Sequence, residues 1–417
     1  MSQLQLLDLN RLREAVTSAA AFRCRRKLQP AGGPGDKVFP PTFAGAVYGV
    51  EKRQVPGREA PVTCVLLDSV QSQANRMELA LQEALDAGRI TLPLVVVDFT
   101  PWSPDGNKPQ SERLLDAVGK ITSLQVPHRL ADAILRDSQI EDPPGSGRLV
   151  EFRRSSIGKK LDAAGPQNAT PLFELCPTAL IFGMWDSTGP KGGLGAKFER
   201  AMVSEIVGIG ASLSDLHKNW GVRRDPLEIS KSVPLRKSEN GSWEISADPK
   251  AKDIIRPSEV NHSSIPFESS NGGVTLEYAE QITTLSLIVL RRLRFPINGQ
   301  LTPEADRAAR TVLAALGLCA ATLAFENGAG LRSRCLLWPE EPMTWELLAK
   351  PGEEPQRFTL TSEEAVKLFE QAVLAATKTQ LPWNTAPVVL QPQPKLVKLV
   401  RESQELAVKS GPENSGD

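Results

Sequence analysis

An α+β or α/β fold is what this sequence predicts, and three observations predict it. Apolar runs of strand length alternate with longer stretches of three- and four-residue periodicity. No internal repeat of solenoid length is visible, so the elements are not copies of one unit. Composition is that of a folded protein, 41% hydrophobic and 24% charged over 417 residues, room for two or three average domains or one large domain with long insertions.

Taken in order, the first 22 residues carry Asp8, Arg11, Arg13 and Glu14 among their leucines, an amphipathic-helix pattern that lacks the apolar core of a signal peptide. Residues 22–28 read as a strand with Arg23, Arg25 and Lys27 on one face and Phe22, Cys24 and Arg26 on the other. Further strands are expected over 62–67, 92–99 and 172–182, with 331–338 a fourth candidate. Helices are expected over 69–87, 196–209, 276–293 and 303–325. Stretches 101–110, 141–147, 246–273 and 382–394 are rich in loop-forming residues, and 401–417 reads as a disordered tail. The nearly apolar run 311–325 falls short of the about 20 residues that span a bilayer. The expectation is a cytoplasmic protein with no membrane partner.

Charge is balanced overall, 49 basic against 49 acidic residues, but not along the chain. Residues 21–60 hold eight Lys or Arg against three acids, and 339–370 hold eight Glu against three bases. A basic groove and an acidic face suit an anionic polymer or a neighbouring subunit, and two solvated surfaces fit the same count. The five cysteines are scattered without a C-x-x-C pair, so neither a zinc site nor a redox couple is indicated.

Three constellations carry chemistry. In the first, Arg23, Arg25 and Lys27 line one strand face, with Lys37 in the glycine-rich turn beyond. Cations so spaced can track a phosphate backbone, and an edge strand guarded by charge is the competing reading. The second is Asp68-Ser-Val-Gln-Ser-Gln-Ala-Asn-Arg76. Asp68 stands where an N-cap is expected, Gln71 can complete a capping box, and Gly88 suits the left-handed position after the helix. With Val70, Ala74, Met77, Leu81 and Leu85 as the buried stripe, Ser69, Gln71, Gln73, Asn75 and Arg76 surround a helix N-terminus with donors for sugar and phosphate. A polar helix start that only faces water is the plain alternative.

The third constellation runs from Gly183 to Arg200, read as a strand passing into a helix. Gly189, Gly192, Gly193 and Gly195 permit close backbone approach, and Lys191, Lys197 and Arg200 add charge. A phosphate site is the natural reading. The phosphate-loop and dinucleotide patterns both fail, because Gly192 follows Lys191 where Ser or Thr belongs and Phe198 occupies the third glycine position.

These words carry a resemblance. Val38-Phe-Pro-Pro-Thr-Phe-Ala-Gly45, the block from Cys64 to Arg76, the block from Ala179 to Arg200, and Arg292-Leu-Arg-Phe-Pro296 resemble one CRISPR family. It is the RAMP-superfamily backbone subunit of type I-U effector complexes, also called type I-G. The resemblance runs from about residue 23 to 296 and leaves out the acidic C-terminal part. It implies a palm of RRM-like, ferredoxin-like topology within 1–338, with insertions near 100–170 and 217–273, an acidic extension over 339–400 and a disordered 401–417. It also implies a subunit that binds guide RNA (crRNA) by its backbone, leaves the bases to pair with target DNA, and stacks with further copies of itself. A large subunit and a repeat-processing end-cap subunit would accompany it.

The residues agree in one respect. Aromatics are 5% of the chain and no RNP1-type word occurs, which argues against base reading and for backbone holding by Arg, Lys and glycine-rich loops. No cofactor and no enzymatic activity are expected. His128, His217 and His262 are each isolated from any triad-like or metal-ligand word. A metal-dependent RNA-cleaving subunit is the alternative, with Asp36, Asp68 and Asp186 as its candidate carboxylates. A nucleotide-binding enzyme stands behind it.

Overall fold

The structure, a computed structural model, describes all residues except 1–3, 45–46, 188–194, 213–226, 228, 231, 239–241, 250, 252, 261–272 and 411–417. The elements used below are α1 (Leu9–Ser18), β1 (Ala21–Pro30), β2 (Val50–Arg53), β3 (Val62–Asp68), α2 (Val70–Asp86), β4 (Val95–Asp98), α3 (Ser156–Asp162), α4 (Thr170–Leu175) and α5 (Thr178–Phe182). They continue with β5 (Met184–Trp185), β6 (Lys197–Phe198), β7 (Met202–Ile209), β8 (Tyr278–Ser286), α6 (Leu287–Arg291), α7 (Pro303–Phe325), β9 (Ala329–Arg332), β10 (Cys335–Pro339), β11 (Thr344–Leu348), β12 (Gln356–Thr359), α8 (Ser362–Thr377), β13 (Val388–Pro392) and α9 (Pro394–Ser410).

The chain is α+β, built around one large sheet, antiparallel except where the short edge strand Gln5–Leu6 runs parallel to β12, and a smaller second sheet. At the centre of the large sheet the order is β11-β1-β8-β7, extended past β7 by β3 and β2 and past β11 by β12. Counted by chain position the four central strands stand 4-1-3-2. α2 falls between the first and second of them, and α7 between the third and fourth. β1 is therefore a central strand, paired with β8 along its length and with β11 and β10 on its other side, rather than a guarded edge.

Strand alternation in β1 places Phe22, Cys24, Arg26 and Leu28 inward, against the helices. Arg26 is tolerated there because its guanidinium donates to the Phe325 carbonyl at 2.5 Å, capping the end of α7. Burial pushes the thiols of Cys24 and Cys319 up to about 12, so both sulfurs stay protonated core atoms. α7 packs on α1, α2 and α8. It is the one described helix long and apolar enough to cross a membrane, and 78% of its most apolar stretch is buried inside the protein.

Several sequence expectations are overturned. Residues 172–182 form α4 and α5, not a strand. The run is buried on every side, so periodicity carries no signal, and Pro171 and Pro177 set helix starts. Residues 196–209 form β6 and β7, and 276–293 form β8 followed by the short α6. In β8, Ala279, Gln281, Thr283 and Leu285 are buried in strict alternation, with two polar residues among them that obscure the period.

The acidic segment 339–400 is not an appended extension. β11 pairs with β1, α8 packs on α7, and β13 lies parallel to β4 in the second sheet. α9 is helical through Ser410, so disorder does not begin at 401. Of the expected insertions, the described part of 217–273 holds a three-stranded sheet (Leu235–Lys237, Trp243–Ile245, Ile254–Ile255), and 100–170 supplies strands to the second sheet.

Candidate nucleic-acid interface

The start of α2 is fixed by a buried carboxylate. Ser69, not Asp68, is the N-cap, its hydroxyl accepting from the Ser72 amide at 3.3 Å, and Gln71 closes no capping box. Gly88 does take the left-handed conformation after the helix, at φ 68°. Asp68, 1% exposed, ends β3 and accepts from Ser72 Oγ at 2.7 Å, Gln73 Nε2 at 2.6 Å and Arg76 Nε at 2.9 Å. Gln73 Oε1 in turn accepts from Ser204 Oγ at 2.8 Å and Gln281 Nε2 at 3.0 Å, tying α2 to β7 and β8. Gln73 and Arg76 are thus framework, because their polar atoms are consumed inside the fold. Gln71 and Asn75 remain exposed.

β1 presents its cations outward as the sequence implies, but carboxylates meet two of the three. Arg23 pairs with Glu346 at 2.7 Å, Arg25 with Glu280 at 2.8 Å, and Lys27 lies 4.8 Å from the centre of the Tyr278 ring. Hydrogen bonding to Glu280 raises the pKa of the Arg25 guanidinium. Arg53 on β2 is likewise bound to Glu205, at 2.8 Å. The outer sheet face is therefore close to neutral, a ladder of cross-strand ion pairs. Lys37 sits 5.9 Å from the Phe39 ring centre, which Arg334 flanks at 4.9 Å.

At the end of the sheet the second and third sequence constellations meet. A cleft of about 550 Å³ is lined by Gln71 from α2, His128 and Arg129, and Gly183, Trp185, Lys197 and Arg200 from the two arms of the glycine-rich segment. β5 and β6 pair antiparallel, Trp185 opposite Lys197, whose ammonium lies 5.3 Å from the indole centre. Gly183 has φ 82°, and a Cβ there would come 2.9 Å from Arg200 Cγ, so glycine lets the arginine stem cross the backbone. Arg200 and Lys197 are exposed and neither has an ion-pair partner among the described residues. Lys191, Gly192 and Gly193 lie outside the described residues, as do His217 and His262.

The cleft wall rests on a pair the sequence reading missed. Arg129 is clamped to Glu78 of α2 by two hydrogen bonds of 2.7 Å and donates to the Gly183 carbonyl at 2.9 Å. Burial pushes the Glu78 carboxyl up, while Arg129 pulls it back down. A signal for Glu78 existed, since it shares the arc of Ala74, Met77 and Leu81. Arg129, isolated in sequence, offered none.

The carboxylates weighed for metal chemistry are otherwise engaged. Asp68 holds the start of α2, and Asp186 pairs with Arg153 at 2.5 Å. Asp36 accepts from the Lys37 amide within its turn. Among the described residues no three His, Cys, Asp or Glu side chains gather as a metal site.

Comparison with known proteins places these blocks. No curated protein matches the chain. The crystal structure of Thermofilum pendens Csc2 aligns with 99% of this chain and 95% of its own, at 11% identity and a TM-score of 0.28, a likeness too weak to carry a structural argument. A family model described as CRISPR-associated protein GSU0053 matches residues 22–213, a little under half of the chain and the part that holds β1, α2 and the cleft. Over residues 22–213 the chain is similar to this CRISPR-associated GSU0053 family.

Proposed function

We propose that this chain is a non-enzymatic backbone subunit of a cytoplasmic CRISPR effector complex, one that grips guide RNA by its sugar–phosphate backbone and leaves the bases to pair with target DNA. The observation that carries the proposal is the cleft, where Gln71 at a helix start meets Lys197 and Arg200 beside a glycine-rich segment. Among the described residues Lys197 and Arg200 have no ion-pair partner there, while Arg23 and Arg25 on the sheet face are held by carboxylates. A sequence-tolerant carrier needs backbone grip without base reading.

The 4-1-3-2 strand order with two intervening helices supports an RRM-like palm. Partners under this reading are further copies of the chain, a large subunit and a repeat-processing end-cap subunit. The metal-dependent cleavage alternative is disfavoured because Asp68 and Asp186 are held by arginines.

The test is the nucleic-acid content of the purified protein, expressed with and without a repeat-spacer array and its companion subunits. Discrete nuclease-protected guide RNA in a large particle is expected. Protein free of nucleic acid under both conditions overturns the proposal and favours a mononucleotide ligand for the glycine-rich segment.

A further inference from the structure

The densest run of positive charge near the cleft lies outside the three sequence constellations. Between residues 148 and 160 stand Arg148, Arg153, Arg154, Lys159 and Lys160 against the single acid Glu151. The fold divides them by role. Arg153 turns inward, 11% exposed, and bridges Asp162 of α3 and Asp186 at 2.5 Å each. Asp186 directly follows β5, and its amide donates to the Ala196 carbonyl at 3.0 Å, so it closes the base of the glycine-rich segment.

The bridge therefore fixes the basic run beside the segment that carries Lys197 and Arg200. The other four cations remain exposed. Arg154 is 78% exposed and pairs with the half-exposed Glu151, and Lys160 lies 3.5 Å from Glu174. Exposed pairs of this kind hold weakly and exchange readily for a phosphate.

We infer that Arg148, Arg154, Lys159 and Lys160 continue the phosphate track out of the cleft, so that one RNA strand held at Lys197 and Arg200 passes over residues 148–160. This rests on the RNA-holding reading and extends its footprint onto the insertion. The four cations meet phosphates, so they act on all sequences alike and appear in the salt dependence of binding.

The experiment titrates the full chain with a mixed-sequence single-stranded RNA of about 20 nucleotides over a range of KCl concentrations, a length matching an RNA-guided heteroduplex. It compares wild type with Arg148→Gln/Arg154→Gln/Lys159→Gln/Lys160→Gln and with a control quartet, Lys350→Gln/Lys367→Gln/Lys378→Gln/Lys398→Gln. The log–log slope is expected to flatten by about 0.7 for each phosphate that the first quartet no longer neutralises, and to hold in the control. Equal flattening in both quartets means bulk charge only and overturns the inference. Wild-type binding with an unchanged slope in the first quartet also overturns it and leaves the RNA-holding reading standing. No binding by wild type overturns both. Arg154→Glu/Lys159→Glu, which alters only two exposed side chains, repeats the test should the quartet fail to fold.

Discussion

Gln73 Nε2 donates to Asp68 Oδ2 across 2.6 Å, and both side chains are buried to within 1% of full enclosure. A helix is thereby locked to the end of the strand that precedes it by a charge and an amide that never meet solvent. Removing the carboxylate takes the acceptor from Gln73 Nε2, Ser72 Oγ and Arg76 Nε at once. Asp68→Ala is expected to cost about 3 kcal/mol, since an uncompensated buried partner is far dearer than the net worth of the pair. Urea unfolding of the variant checks it, and a drop in stability below about 1 kcal/mol would mean that water replaces the carboxylate.

Arg129 and Glu78 make a sharper case, with side chains only 8% and 2% exposed. Arg129→Met alone is expected to destabilise the fold by about 3–5 kcal/mol, and Glu78→Leu/Arg129→Met to recover much of that stability. Equilibrium unfolding of the single and double variants separates a stranded charge from a simple packing defect.

RNA binding should distinguish the cleft from the sheet face. Lys197→Ala/Arg200→Ala is expected to flatten the log–log salt dependence by about 1.4, two phosphates at about 0.7 each, for every RNA sequence tested. Arg23→Gln/Arg25→Gln should change the slope little, because Glu346 and Glu280 already neutralise those guanidiniums. The opposite ranking would move the interface onto the sheet.

Nuclease activity gives a separate test. Asp36→Ala is expected to leave the rate of RNA degradation in magnesium unchanged, as its carboxylate only stabilises a turn. Slower degradation by the variant on denaturing gels would restore the metal-dependent reading.

Acid should loosen α9. Burial works against the Asp137 carboxylate, but hydrogen bonds from Arg136 and Lys395 outweigh it and hold its pKa below the ordinary 3.8. A depressed carboxylate contributes stability that is present above the unfolded value and lost as pH falls through the folded one. Amide exchange in Pro394–Ser410 is therefore expected to accelerate below about pH 3.8, with Lys395→Gln blunting the change.

By itself the sequence determined the mixed α and β class, α2 with its glycine stop, the long α7, and the face assignment of β1. Each is written in local period or capping chemistry, which the chain carries without help. It also carried the motif blocks at 64–76 and 179–200, and the structure brings those two blocks into one cleft. What the tertiary structure decided is which polar groups are free. Arg23, Arg25, Gln73 and Arg76 look like ligand donors in a one-dimensional reading, yet each is claimed by an atom far along the chain, Glu346, Glu280, Ser204 and the Leu331 carbonyl among them. The same holds for 172–182 and 196–209, where burial on all sides or a partner strand settled helix against strand. Pairing and burial are properties of distant contacts, and local sequence does not encode which distant group arrives.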